Sequence, residues 1–368
     1  MNLYNIALTL VPGLGPKTIR QLFNLVANSE ELFAMSHSQL TELFTRHHNI
    51  IHSIESKTTM HDAEKLVAEV EKYNIEPLFF TDPAYPQRLN QAGCEDTPTL
   101  LYRLGTCDLN TQYSIALVGS RKATDYGRTT TARLVKELSA IKPLIVSGLA
   151  YGIDTVAHTS SISCESPTVA VLGHGLDTIY PSQNRGLAKR ILEAGGSLLT
   201  EYPLHTEIKA TNFPARNRII AALSDATIVV EAAERGGALI TANIANSYHR
   251  EVFAVPGRLN DSTSEGCNNL IINNKAIMIR NAGDLYYQMG WECEFDRRQH
   301  KAQQQSLFAT LSPSQQSIVD LLTKNNEMTL DEIDLQCEMS LPKIASIMIE
   351  LELKNIVRCL PGKIYKLS

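Results

Sequence analysis

Seven short runs rich in Val, Ile, Leu and Ala constrain this chain most. They are "SIALVG" (114–119), "PLIVSG" (143–148), "TVAVLG" (168–173), "SLLTEYP" (197–203), "ATIVVEA" (226–232), "EVFAVPG" (251–257) and "AIMIRN" (276–281). Each gives way to glycine or polar residues and then to a stretch of helical periodicity. The apolar residues run almost without interruption, as in strands covered on both faces. Strands alternating with helices predict an α/β fold whose sheet is doubly wound and mostly parallel. We place this core over residues 76–295.

Different patterns flank it. Residues 1–75 read as a helical domain, with "VPGLG" (11–15) as a tight turn between two amphipathic segments. A Gly-x-Gly turn between helices resembles a helix-hairpin-helix, whose backbone N–H groups hold a phosphate, with Lys17 and Arg20 placed to assist. A glycine turn between packed helices looks the same and is slightly favoured. Residues 74–90 read as an extended, proline-punctuated passage. Residues 296–310 are polar, rich in Gln and basic, and read as a linker. Over 311–368, three helical segments precede a hairpin with Pro361-Gly362 at its turn, which together resemble a winged helix. The third of these helices carries Glu350 and Glu352 beside Lys343 and Lys354, and the second carries Asp331, Glu332 and Asp334. Acidic side chains oppose phosphate binding, so this module is expected to contact protein or its own chain, with Lys363 and Lys366 as the argument for DNA.

The 368 residues suffice for two or three domains, and a net charge of −5 excludes a uniformly basic coat while leaving room for a local basic cleft. The seven cysteines form no C-x-x-C pair and suggest reduced thiols. No signal-peptide pattern and no run of membrane-spanning length is present, so a cytoplasmic protein without membrane contact is expected.

In open parallel sheets, ligands bind at the carboxyl ends of the strands, and the unusual residues fall there. They occupy "GSRKATDYG" (119–127), "SGLAYGIDTVAH" (147–158), "GHGLDTIYPSQNR" (173–185), "FPARNR" (213–218) and "EAAERGGALITA" (231–242). Glycines let the backbone approach a ligand, and helix N-termini after Gly152 and Gly237 add positive partial charge. Arg121, Arg185, Arg216 and Arg218 are expected to converge as full charges on phosphates. Either of Arg216 and Arg218 taken alone reads equally well as structural, Arg218 by capping a carboxylate such as Asp225. There is no G-x-G-x-x-G opening the first helix, no Walker lysine loop, no nucleophile elbow and no H-E-x-x-H, so neither a nucleotide cofactor nor a bound metal is expected. Among groups able to do acid–base work, Asp154 reads as a brace for its helix, His158 as a satisfied structural histidine and His174 as an exposed residue touching ligand; Asp177 and Glu201 complete the set.

Taken in order, "VGSRKATDYG", "SGLAYGIDTVAH", "AVLGHGLDTIYPSQN", "TEYP", "FPARNRIIAALS", "EAAERGGALITANIA", "REVFAVPG" and "GCNNLI" resemble the DNA-processing protein A family (DprA, or Smf) over about residues 77–285. The resemblance implies an extended Rossmann sheet that binds single-stranded DNA and helps load RecA recombinase in natural transformation, without enzymatic activity. Carried over by motif, it implies DNA contacts from Ser120, Arg121, Gly148, Gly173, Gly175, Asn184, Arg185, Phe213, Arg216, Asn217, Arg218 and Gly236, with Arg121 foremost and Phe213 offering a stacking face. It also implies a homodimer through Asn268, Ile271 and Ile277, although ordinary core packing explains the two isoleucines equally well. The chain departs from the family's "SGSLITA" at Gly236, Gly237 and Ala238, from "SEYP" at Thr200, and from a final "GA" at Asn274-Lys275-Ala276. Two other readings stand beside this one. A phosphoribohydrolase-like enzyme would use Glu201 or Glu231 as its acid, and a transcription regulator would work through the winged helix.

Overall fold

The computed structural model of the protein describes residues 3–45, 47–91, 93–291, 311–325, 327–337, 339–353, 356–360 and 364–367. The chain divides into two compact units, one ending at Trp291 and the other following it. The expected linker over 296–310 and the turn at Pro361-Gly362, with Lys354 and Lys363, lie outside the described residues.

The first unit is built on a nine-stranded sheet. In chain order its strands are β1 (Glu76–Phe79), β2 (Leu100–Gly105), β3 (Ser114–Val118), β4 (Leu144–Ser147), β5 (Thr168–Leu172), β6 (Ser197–Thr200), β7 (Ala226–Val229), β8 (Glu251–Ala254) and β9 (Ile277–Met278). Their spatial order is β1-β2-β6-β5-β4-β3-β7-β8-β9. The seven apolar runs are β3 to β9, all parallel to their neighbours within that set. Every residue of β3, β4, β5, β6 and β7 is buried, which is why these runs lack the alternation of a half-exposed strand.

The extended passage over residues 74–90 contains β1, and β2, which follows it, is a strand that the sequence pattern did not announce. β1 and β2 pair antiparallel, and β2 pairs antiparallel with β6, so they extend the sheet on one side. β1 contains Pro77, a residue a sheet tolerates at an edge such as this one, where a missing N–H costs no ladder bond.

The helices of residues 3–72 share one apolar cluster with this side of the sheet: Ile6, Leu8 and Val70 join Phe79, Leu172 and Leu198. At the N-terminal glycine turn, Gly13 has φ +91, which needs a glycine. Arg20 is committed internally: Nη1 donates to Asn90 Oδ1 at 2.6 Å and Nη2 to Thr97 Oγ1 at 3.1 Å. The turn therefore serves packing, with its basic residue tying the helices to the loop between β1 and β2.

The second unit contains helices Pro313–Asn325, Leu330–Gln336 and Leu341–Leu353 and a sheet of order β10-β12-β11, made from Glu327–Thr329, Ile364–Leu367 and Val357–Leu360. Ile318, Leu322, Ile333, Ile344 and Leu351 form its core. Glu327 draws Lys366 to 3.5 Å, which offsets a charge that a DNA-reading wing would present.

Against the amino-terminal ends of β4 and β5, His158 is fully buried. Thr168 Oγ1 donates to the Ile145 carbonyl, so it accepts from the His158 Nδ1–H at 2.8 Å. Nε2 then carries no proton and has no partner. Burial first, and the Arg216 charge second, push the His158 pKa down from 6.5 to about 3. Below pH 6.5 the unfolded chain takes up a proton that the folded one refuses. The stabilisation is thus complete above pH 6.5 and drains away toward pH 3, at roughly 1.4 kcal/mol per pH unit. Urea melts from pH 7 to pH 4 should show this slope, and His158→Gln should flatten it; equal slopes would remove the assignment.

Candidate nucleic-acid interface

From β3 the chain steps through β4 and β5 to β6, then returns to place β7 on the other side of β3. The carboxyl ends of β3 and β7 therefore diverge into a crevice, the place where open α/β sheets bind ligands. A cavity of about 430 Å³ occupies it. Ser120 and Arg121 enter from the loop after β3, and Asp154 from the helix after β4. Phe213, Arg216 and Asn217 come from the start of helix Asn212–Leu223, and Gly236 and Gly237 from the start of helix Gly237–Ser247. Two helix N-termini thus border the cavity and contribute positive partial charge.

Arg216 forms the floor. It is 5% exposed, and its Nη1 donates to the carbonyls of Gly148, at 2.8 Å, and Val171, so one guanidinium joins the ends of β4 and β5. Its Nε donates to Asn217 Oδ1 at 3.2 Å. Burial lowers the Arg216 pKa to about 10, against the opposing pull of Asp154, and the group stays charged at neutral pH. Asp154 accepts from the Gly148 and Ala150 N–H groups, both at 3.2 Å, and so braces the loop after β4. Its own pKa is raised by burial, with the Arg216 charge opposing. Gly148 must lack a side chain, because a Cβ there would stand 2.5 Å from Arg216 Nη2. Gly152 has φ +76, which lets the chain turn from β4 into its helix against the Ser120 carbonyl.

Arg121 is the opposite case. It is exposed, and among the described residues its guanidinium makes no hydrogen bond or ion pair; it lies over the Phe213 ring, 5.8 Å from guanidinium carbon to centroid. Phe213 in turn lies 5.5 Å from the Tyr180 ring at an interplanar angle of 40°. A free cation, an aromatic strip and a buried cation thus lie together at one crevice. Such a surface can hold a phosphate and present ring faces beside it.

The other expected residues fall elsewhere. Arg185 is exposed at the start of helix Arg185–Glu193 and does not line the cavity. Arg218 pairs with Glu201 at 2.5 Å, whereas Asp225 is taken by Arg88 at 2.7 Å. The four arginines therefore do not converge: Arg121 and Arg216 meet, and the others do not. Asn184 is buried, and its amide donates to the Leu149 carbonyl at 2.8 Å and to Thr155 Oγ1 at 3.0 Å. Gly173 makes room for the start of helix Asn212–Leu223, and Gly175 for the backbone of Pro203 and Leu204. His174 is not exposed, as its sequence suggested, but fully buried. Its Nδ1–H donates to the Gly175 carbonyl at 2.9 Å, and its Nε2 accepts the Tyr180 N–H at 3.3 Å. Between two glycines it has room to fold back onto its own loop. Glu201 and Glu231, the candidate acids, do not line the cavity; Glu231 is fully buried and accepts from the Thr124 N–H at 2.9 Å.

Tyr180 and Tyr151 were not singled out from sequence, although they are 48% and 41% exposed. Their one signal was an aromatic residue inside a polar crest loop. At the far edge of the sheet, Asn268 clasps both backbone polar groups of Gly257, at 3.1 and 3.2 Å. Ile271 and Ile277 are half-buried, next to Ile272 and Met278, which are 71% and 46% exposed.

A family model described as DNA recombination-mediator protein A matches residues 76–290, and one described as the DprA winged helix domain matches residues 301–363. Protein Smf of Synechocystis sp. is 38% identical over 283 residues, covering 75% of this chain and 70% of its own length. Protein Smf of Escherichia coli is 35% identical over 288 residues, with 76% and 74% covered. The X-ray structure of DNA processing protein A from Streptococcus pneumoniae superposes with a TM-score of 0.57 at 30% identity, over 74% of this chain and 98% of that one. The protein of the same name from Helicobacter pylori, in a study of its single-stranded DNA binding mode, gives 0.52 at 30% identity, over 58% and 95%. With its crest motifs, its switch-point crevice and its C-terminal winged helix, the chain belongs to the DNA recombination-mediator protein A (DprA/Smf) family.

Proposed function

We propose that the crevice between β3 and β7 binds single-stranded DNA without regard to sequence, and that the protein serves DNA processing in natural transformation by loading RecA recombinase onto the bound strand. The carrying observation is Arg121, exposed and resting on Phe213 above the buried charge of Arg216. A phosphate meets Arg121 and the two helix N-termini, and a base meets the aromatic face, a combination that every nucleotide can satisfy. The family's description as a recombination mediator and the Helicobacter pylori relative's single-strand binding support the reading.

The role is one of binding rather than catalysis, since Glu201 is held by Arg218 and Glu231 is buried away from the cavity. A homodimer through the β9 edge would cover Ile272 and Met278 beside Ile271 and Ile277. The winged helix, with Lys366 held by Glu327, serves protein contact. No helix among the described residues is long and apolar enough to cross a membrane, which fits work in the cytoplasm.

Fluorescence anisotropy of a labelled single strand against its duplex, at several salt concentrations, tests the proposal. A preference for the single strand that falls with salt and ignores sequence is expected. Absence of single-strand binding at low salt would overturn it, and base release from a nucleotide panel would put the hydrolase reading in its place.

A further inference from the structure

Beside the crevice, two large rings that do not line the cavity flank the turn 182–184. Tyr180 precedes it and is 48% exposed; Tyr151, in the loop after β4, is 41% exposed and bonds through its hydroxyl to Gln183 Oε1. Single exposed aromatics are ordinary, but these two are each fastened to the surrounding frame. The Tyr180 backbone N–H is held by the buried His174, and its ring leans on Phe213. The Tyr151 loop is joined to the turn by Asn184, whose buried amide donates to the Leu149 and Ala150 carbonyls. A ring exposed in water gains nothing from being held still, whereas one that stacks a ligand loses less entropy on binding if it is already placed.

We infer that Tyr180 and Tyr151 form a second base-stacking floor continuing from Phe213, so that a bound strand runs from the Arg121 crevice across the turn 182–184. The inference rests on the single-strand reading above and adds to it a direction and two contacts. Phosphates lie at Arg121 and the helix N-termini. Bases lie face-down on Phe213, then Tyr180, then Tyr151. Asn184 and His174 are positioning residues, which hold the loops and touch no base. Tyrosine suits the place because its ring stacks on any base while its hydroxyl finds a polar partner, Gln183 for Tyr151.

The test uses the full chain with two labelled strands of equal length, one of thymidines and one with an abasic stretch at its centre. Stacking on an aromatic ring contributes about 1–3 kcal/mol per base, so Tyr151→Ala and Tyr180→Ala should each weaken binding to the thymidine strand by roughly 5- to 150-fold. The loss should vanish on the abasic strand; Tyr180→Phe should bind as the parent does, and Tyr151→Phe, which keeps the ring but gives up the bond to Gln183, should lose less than Tyr151→Ala. Thermal melts should be unchanged for Tyr151→Ala, whose ring is exposed. If the Tyr180→Ala melt moves, the phenylalanine variant and the abasic strand still separate stacking from folding. Equal affinity of the double alanine variant and the parent for the thymidine strand would overturn the inference while leaving the single-strand reading intact. So would a loss of the same size on both strands. Unchanged DNA binding with impaired RecA filament assembly would assign the rings to protein contact instead. A parent protein that binds neither strand would defeat the single-strand reading itself.

Discussion

Replacing Arg216 with alanine is expected to destabilise the sheet-bearing unit by about 3–5 kcal/mol, the usual cost of leaving a buried charge uncompensated. Two effects combine. The carbonyls of Gly148 and Val171 lose their shared donor, and Asp154 keeps a buried carboxylate without the opposing charge. For a unit of this size the melting temperature should fall on the order of 10 °C. Single-strand binding should fall as well, since the ends of β4 and β5 are no longer tied beneath the loop that carries Ala150 and leads into the helix of Asp154. Arg216→Lys should recover only part of the stability, because an ammonium cannot reproduce the guanidinium fork. Adding Asp154→Asn to Arg216→Ala should restore some of what the single change lost, a coupling that a double-mutant cycle measures. An Arg216→Ala melt that coincides with the parent's would show that the guanidinium does not tie the strand ends.

Arg121→Ala should do the reverse, leaving the melt within about 0.5 kcal/mol of the parent because the side chain is exposed and bonds to no backbone. Its effect should fall on DNA. Losing a charge-assisted contact of about 1.5–3 kcal/mol weakens binding by roughly 10- to 150-fold at low salt. The slope of log affinity against log salt should become shallower by about 0.7 for one single-strand phosphate. The loss should be similar for all sequences. Arg121→Lys should keep the salt slope but lose affinity, since the ammonium stacks poorly on Phe213. An unchanged slope in Arg121→Ala would mean that no phosphate sits there. One variant thus reports on the frame and the other on the ligand.

The sheet was legible wherever burial on both faces forced a continuous apolar run, and the runs from Ser114 to Met278 became β3 to β9. β1 and β2 were less so: β1 is the edge strand, half-exposed and tolerant of Pro77, and β2 beside it is fully buried only over its first three residues, so neither leaves such a run. In the site, the stretch Phe213–Asn217 and Arg121 stood out because cations and an aromatic ring have no place at the entrance to a core helix. Which cation meets a ligand was hidden. Arg216 and Arg218 lie two residues apart in the same motif, yet one holds strand ends and the other holds Glu201.

His174 shows the same limit, for its burial comes from its loop folding back to reach the Tyr180 N–H. Local sequence by itself determined the alternation of strands and helices, the glycine turns and the cluster of polar residues at strand ends, since each follows from neighbours along the chain. Tertiary structure alone decided which side chains are free. The partners of Arg216, Arg218 and Asn184 come from other crest loops, and strand order brings those loops together. A charge is available to a ligand only when no such partner has already claimed it.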